Sequence, residues 1–324
     1  MQTSTHRRQF SRLSIAAVSA TVGAALFASA IPANADTATP HPGGAAQAAA
    51  VVEAATGAAD IAPSEVAPGT PAKAVTATGG ATVTITTPDK ANGSIHAVGE
   101  DGSSFGLTLP GAKGVAGVKA GAGTVVYPNA AASTDIAVQP TRDGGARALV
   151  TLKDDKAPET HRFRLSLPQD ASVIEDGQGG YEITREASEG VHIPVATIDA
   201  PWAKDANGEA VPTSYKLDGK DLVQTVETNE KTAFPVVADP KMTWGIVTGT
   251  AYFNKKETKA IAYNGALSGV VSGFLPPGLN IYWGAHAAVI TTTALKATKA
   301  KKCIKIKFAA GIFVPGQYSG GYCK

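Results

Sequence analysis

The sequence predicts an α+β protein: an antiparallel β-sandwich or barrel-like domain followed by a small domain with an apolar helical hairpin and short strands. Three observations predict it. From about Ala81 to Pro240, short alternating runs are separated by turn residues, with little helical periodicity between them. From Ala260 to Leu295 there are 36 consecutive residues without Asp, Glu, Lys or Arg, broken in the middle by Pro276-Pro277-Gly278. Formal charge divides between these regions: residues 36 to 240 carry −11 from 15 basic and 26 acidic side chains, and residues 241 to 324 carry +10 from eleven Lys and the single acid Glu257.

The first 35 residues read as a signal peptide. Arg7, Arg8 and Arg12 precede a mildly apolar segment from Leu13 to Ile31, and Ala33-Asn34-Ala35 supplies small residues for cleavage after Ala35. Arg7-Arg8 followed by Phe10 resembles a twin-arginine signal, although Ser11 and Arg12 stand where that family usually has Leu and Lys. An ordinary general-secretion signal stays open beside it; either route makes the protein secreted and extracellular. Residues 36 to 80 are dominated by Ala, Pro, Gly and Thr, so they read as a disordered spacer with a short Ala-rich helix near 44 to 59.

Residues 81 to 240 read as an acidic β-rich domain. In "HRFRLSLP", Phe163, Leu165 and Leu167 fall on one face while Arg162, Arg164 and Ser166 fall on the other, which is the pattern of a half-buried strand. "ATVTITTP", "SFGLTLP", "ARALVTLKD" and "GYEITRE" behave similarly, and "YKLDGKDLVQTVE" holds Asp218-Gly219, close to a hairpin signal.

Residues 241 to 324 read as a basic domain with a helical hairpin and a disulfide. "TWGIVTGTAYF" alternates weakly, as a strand or hairpin. Asn254 and Glu257 then have capping-box spacing for a helix running to about Leu275. A second helix is expected over about Ile281 to Thr298, and "CIKIKF" alternates like an edge strand. Gly265, Gly269 and Gly273 form two overlapping GxxxG motifs, a glycine-zipper face for close helix packing. Each arm is about 16 residues, or roughly 24 Å as helix, marginal against a hydrocarbon core of about 30 Å. A water-soluble hairpin packed on strands explains the same pattern. Cys303 and Cys323, the only cysteines, read as one disulfide in an exported chain. It closes a loop of about 20 residues, contributing roughly 3 kcal/mol in the loop-entropy account.

The chemistry these residues offer is mainly electrostatic. Lys255, Lys256, Lys259, Lys296, Lys299, Lys301, Lys302, Lys305 and Lys307 are the candidates for binding an anionic surface, membrane or cell-wall polymer. Lysine without arginine suits point-charge attraction better than bidentate phosphate reading. The aromatics Tyr252, Phe253, Tyr282 and Trp283 sit beside apolar runs instead of interleaving with lysines, which argues against nucleic acid. An acidic region next to a basic one also makes the acidic domain an intramolecular partner. No cofactor or metal pattern stands out, and the leading expectation is no enzyme. Gly102-Ser103-Ser104-Phe105-Gly106 satisfies GxSxG, but the alternating residues and glycines after it do not read as the helix a nucleophile elbow needs. Glu257 and His286 are the only acid/base pair available to a small toxin nuclease in the basic domain.

The stretch "IDAPWAKDANGEAVPTSYKLDGKDLVQTVETNEKTAFPVVADP", residues 198 to 240, resembles a β-rich module of exported actinobacterial proteins and, more distantly, of wall-associated repeat proteins. "AYFNKKETK", "CIKIK" and "GQYSGGYC" resemble a Lys-rich C-terminal domain of small exported actinobacterial proteins. The resemblance covers roughly the last 130 residues, implies a boundary near Pro240 and an actinobacterial origin, and carries no catalytic residues. Together these features lead to one expectation and one alternative. The first is a secreted precursor in which an acidic pro-domain masks a cationic, membrane-active, bacteriocin-like C-terminal segment. The alternative is a non-enzymatic envelope protein whose basic domain binds anionic wall polymer.

Overall fold

Alternation becomes strand wherever one face has something to cover it. The computed structural model describes residues 42–65, 72–78, 81–99, 102–244, 248–264, 279–309 and 312–324. In chain order the elements are α1 (Pro42–Thr56), β1 (Lys73–Thr78), β2 (Ala81–Thr86), β3 (Ser94–Gly99), β4 (Ser104–Thr108), β5 (Val118–Ala120), β6 (Thr124–Ala131), β7 (Thr134–Pro140), β8 (Gly145–Leu152), β9 (Thr160–Ser166) and β10 (Ala171–Glu175). There follow β11 (Tyr181–Ser188), β12 (Val191–Ile198), β13 (Ala203–Lys204), β14 (Thr213–Asp218), β15 (Asp221–Val226), β16 (Val236–Ala238), β17 (Lys241–Trp244), β18 (Thr248–Phe253), α2 (Lys255–Asn264), α3 (Leu279–Lys299), β19 (Cys303–Ala309) and β20 (Ile312–Tyr318).

Two antiparallel sheets result. The smaller has the order β1-β2-β3-β4-β9-β15-β14. The larger runs β20-β19-β18-β12-β17-β8-β7-β6-β5, with β10 and β11 joined at β12 and β13 and β16 joined at β8. Their facing sides share one core: Ile85, Leu107, Phe163 and Leu222 from the small sheet meet Tyr127, Ile136, Val150 and Trp244 from the large one. β9 buries Phe163 and Leu165 and exposes Arg162 and Arg164, as the alternation predicts. The hairpin closes at Asp218↔Asp221, with Gly219 at φ 62°, where a side chain would be strained.

The Ala-rich helix expected near 44 to 59 is present as α1, but residues 42 to 65 are packed and not a disordered spacer. α1 packs Ala45, Ala49 and Val52, spaced i, i+4 and i+7, against Val126, Ala137, Leu149 and Val237 on the outer side of the large sheet. Small side chains let the helix lie close to the sheet, so a composition that looks too poor to bury still covers a face. β8 is consequently buried at every residue, with the sandwich on one side and α1 on the other. Glu53 Oε1 accepts from the Ala122 amide at 2.8 Å and Thr124 Oγ1 at 2.7 Å, and Lys204 Nζ donates to the Ala55 carbonyl at the helix C-terminus at 3.0 Å. Beyond α1, Lys73–Thr78 pairs with β2 along its full length.

A buried carboxylate ties the two sheets together. Asp239 Oδ1 accepts from the Trp202 amide (3.0 Å), the Tyr215 hydroxyl (3.0 Å) and Gln224 Nε2 (3.3 Å), and Tyr215 and Gln224 belong to the small sheet. Burial pushes the Asp239 carboxyl up to about 7.

Past Pro240 the large sheet continues without a break in pairing partners. β17 lies between β8 and β12, and β18 pairs with the first residues of β12. "TWGIVTGTAYF" therefore supplies two strands to one neighbour and not a hairpin. β19 lies between β18 and β20, so β20, not the "CIKIKF" strand, is the edge. α2 and α3 pack over this part of the sheet, with Ile261, Ala262, Ile290 and Ala294 meeting Val191, Phe253, Ile304 and Ile306.

Two outcomes follow from this arrangement. Trp244 is 2% exposed, so Trp244→Ala is expected to lower the unfolding free energy by about 3–5 kcal/mol in urea titration. The native state keeps the Asp239 proton up to about pH 7, whereas the unfolded chain loses it near its ordinary value of 3.8, so the native state binds more protons in between. This contribution to stability is present below about pH 4 and is lost as pH rises through 7; Asp239→Asn is expected to flatten the loss when unfolding is compared at pH 5 and 7.5.

Candidate functional site

α2 begins where the sequence places it. Asn254 Oδ1 accepts the Glu257 amide at 2.8 Å, but the Asn254 amide donates to the Gly190 carbonyl at 2.9 Å, so the sheet takes the place of the reciprocal Glu257 bond. Thr258 Oγ1 accepts the Ile304 amide at 3.1 Å, and the Lys255 amide donates to the Lys324 carbonyl at 3.2 Å. These bonds bring the start of α2, the end of α3, the start of β19 and the last residue to one end of the molecule. Cys303 and Cys323 are joined in a disulfide there. Gly265, Gly269 and Gly273, together with Pro276-Pro277-Gly278 and the leader, lie outside the described residues.

The nine candidate lysines are distributed around this end. Lys255, Lys256 and Lys259 are exposed on α2, Lys296 and Lys299 on the last turns of α3, and Lys301 and Lys302 on the turn beyond it; β19 carries half-buried Lys305 and exposed Lys307. Lys256 pairs with Glu189 at 3.0 Å; among the described residues no carboxylate lies within ion-pair distance of the other eight. Lys241, the link to the sandwich, pairs with Asp143 at 2.6 Å and approaches Asp199 to 4.0 Å.

Lys301 occupies an unfavourable backbone position. At the C-terminus of α3 the Lys302 amide donates to the Ala297 carbonyl at 2.9 Å and the Lys301 amide to the Thr298 carbonyl at 3.1 Å, while Lys301 has φ 57°. This is the left-handed helix stop that glycine normally fills. Lys296 and Lys299 face the negative end of the helix dipole, a favourable placement.

On the sheet face turned away from α2 and α3 lies a group of residues that single-segment reading missed. Tyr252 donates to Glu182 Oε2 at 2.6 Å and Tyr318 to the Phe253 carbonyl at 3.0 Å, while the Tyr322 and Thr184 hydroxyls bond at 2.6 Å. His192 stacks on Tyr322 with centroids 3.6 Å apart, Tyr252 meets Tyr318 edge-on at 5.2 Å, and Lys305 Nζ stands 5.9 Å from the Tyr252 ring centre. Burial pushes the Glu182 carboxyl up, against the pull of the Tyr252 bond and of Lys305 and Lys307; burial pushes His192 down, favouring the neutral ring. The group borders a cleft of about 410 Å³ between the end of β10 and the turn Ser319–Tyr322. Its one sequence signal is "GQYSGGYC", two tyrosines flanking a glycine turn that a cysteine anchors.

The catalytic candidates are not assembled. Ser104 is the first residue of β4, which pairs with β3 and β9, and the chain runs on from it as strand. Glu257 is in the first turn of α2 beside the end of α3, whereas His286 stands 13 residues before Lys299, about 20 Å along that helix. Among the described residues no group of three or more His, Cys, Asp or Glu could hold a metal ion, and no helix is long and apolar enough to cross a membrane. Compared with protein-family models, curated proteins and solved structures, the chain matches none.

Lys301→Gly is expected to raise the unfolding free energy by about 1 kcal/mol, because glycine takes the left-handed conformation without strain. Denaturant titration at fixed pH measures it.

Proposed function

We propose that this is a non-enzymatic, secreted cell-envelope protein whose basic C-terminal part holds anionic wall polymer while the chain stays intact. The observation that carries this reading is the gathering of lysines at one end, eight of them without a carboxylate partner among the described residues. A flexible polyanion with spaced phosphates or carboxylates needs neither a deep pocket nor bidentate geometry. Separate, mobile ammonium groups satisfy it, and screening by salt weakens it. Lys301 adds to the case, since a charged side chain stands where the backbone prefers glycine. Export rests on the Arg7-Arg8 leader and the cleavage residues before Asp36.

The charge contrast of −11 against +10 favours a second reading, a precursor that releases a membrane-active fragment. Two features weigh against it. Severing the chain before Lys241 would take β17 out from between β8 and β12 and remove Met242 and Trp244 from the sandwich core. Masking is also slight, since only Lys241 and Lys256 form ion pairs with the acidic part among the described residues.

Cosedimentation of the full secreted chain with purified walls is expected to be strong at low salt and to fall as salt rises. Walls stripped of anionic polymer are expected to lose it. Replacing Lys299, Lys302 and Lys307 by Gln should weaken binding about tenfold, three exposed charges at roughly 0.5 kcal/mol each. Salt-independent retention on stripped walls would sink the proposal. Leakage from anionic vesicles, with a fragment starting near Lys241 in the medium, would favour the precursor instead.

A further inference from the structure

We infer that the tyrosine-lined cleft is a saccharide subsite that takes a neutral pyranose unit of a wall glycan; this rests on the wall-binding reading and names a second, uncharged contact within it. The cleft's volume of about 410 Å³ falls in the range of small-molecule sites, about 300–1,000 Å³. Its aromatic wall is preorganised. Each of Tyr252, Tyr318 and Tyr322 has its hydroxyl committed inside the protein, so each ring is fixed by its far end. The disulfide holds Tyr322 from the adjacent Cys323, and His192 backs the same ring. Tyr252 is only 7% exposed and backs the wall, while half-buried Tyr318 and Tyr322 present a flat, weakly polar surface, suited to the C–H face of a sugar ring.

The opposite wall supplies the polar partners. Asp176 Oδ1 accepts the Gln178 and Gly180 amides at 2.6 and 3.0 Å, which orients that carboxylate at the mouth. Glu175 beside it is exposed, and Lys305 brings a donor from the other side. Carboxylates accept from sugar hydroxyls and an ammonium donates to them, in charge-assisted bonds. The mixture of signs also selects. A polyanion in this cleft would face Glu175 and Asp176, and a purely cationic ligand would face Lys305. A neutral polyol uses both. Of the unpartnered lysines only Lys305 lines the cleft; Lys307 is further along β19 and the others lie on α2, on α3 and on the turn beyond it, so sugar and most of the charge are read at different places.

Calorimetric and amide-NMR titration of the full secreted chain with the neutral β-1,4-linked N-acetylglucosamine tetramer and with cellotetraose tests this. At least one is expected to bind with a Kd at or below about 10 mM, shifting the amides of Lys305 and Ser319 to Tyr322, and binding is expected to be the same at low and high salt. Glu175→Gln, on an exposed side chain, is expected to weaken it about tenfold with unchanged thermal stability. Tyr322→Phe keeps the ring and should bind, whereas Tyr322→Ala should not. Absence of heat and of shifts with both sugars, or binding untouched by Glu175→Gln and Tyr322→Ala, would overturn the inference. Loss of salt-sensitive wall binding with the sugar titration intact would overturn only the polymer reading.

Discussion

The edge of β12 is the constraint on which the rest of the molecule depends. Its last residues, Ala196 to Ile198, pair with β17, and its first, Val191 and His192, pair with β18. The same strand thus borders the sandwich core through Ala196 and Ile198 and the helix-covered core through Val191 and Ile193. Odd residues at one end and even residues at the other would ordinarily point to opposite faces. The register shift opposite Ile183 and Thr184 leaves Val195 as an extra residue between Pro194 and Ala196. That bulge changes the parity, so both pairs face the same side.

The tyrosine face is a consequence of that parity. With Val191 and Ile193 turned to the helices, His192 and the paired Tyr252 must turn the other way, where Glu182 and Thr184 of β11 also point. Hydrogen bonding between strands therefore sets which residues meet, and the disulfide adds the last ring from the far end of the chain. A site assembled from six strands and the turn Ser319–Tyr322 has no local signature beyond that turn.

How much was legible follows from this. Alternation in β9 and the Asp218-Gly219 turn are local, and both stand as the sequence predicts. So are the Asn254 cap, the cysteine pair and the lysines. The docking of α1 was not, because its contact residues are all Ala or Val and mean composition hides a contiguous face. Nor was the sharing of β12 across Pro240, since charge changes sign there while the hydrogen-bond ladder does not. The bulge left a trace: in "VHIPVATI" apolar residues at 191, 193 and 195 give way to 196 and 198, a break in period that marks the extra residue.

Charge and structure use different distances, which explains how one chain keeps a basic end beside an acidic body. At physiological salt the Debye length is about 8 Å, so carboxylates elsewhere on the sandwich scarcely act on lysines beyond it. Only contacts within a few ångströms neutralise, and among the described residues those at this end are Asp143 and Asp199 on Lys241 and Glu189 on Lys256. Lys241 is spent as an anchor where the sandwich meets β17. Beyond the helix dipole at Lys296 and Lys299 and the Tyr252 ring near Lys305, the lysines on the last turns of α3 and along β19 have no such role in the fold. Their side chains stabilise little that exposure to water would not, and the left-handed Lys301 is held against its backbone preference. A positive surface that the fold does not need, on an end that the disulfide and β12 hold in place, is the feature on which the proposed wall binding rests.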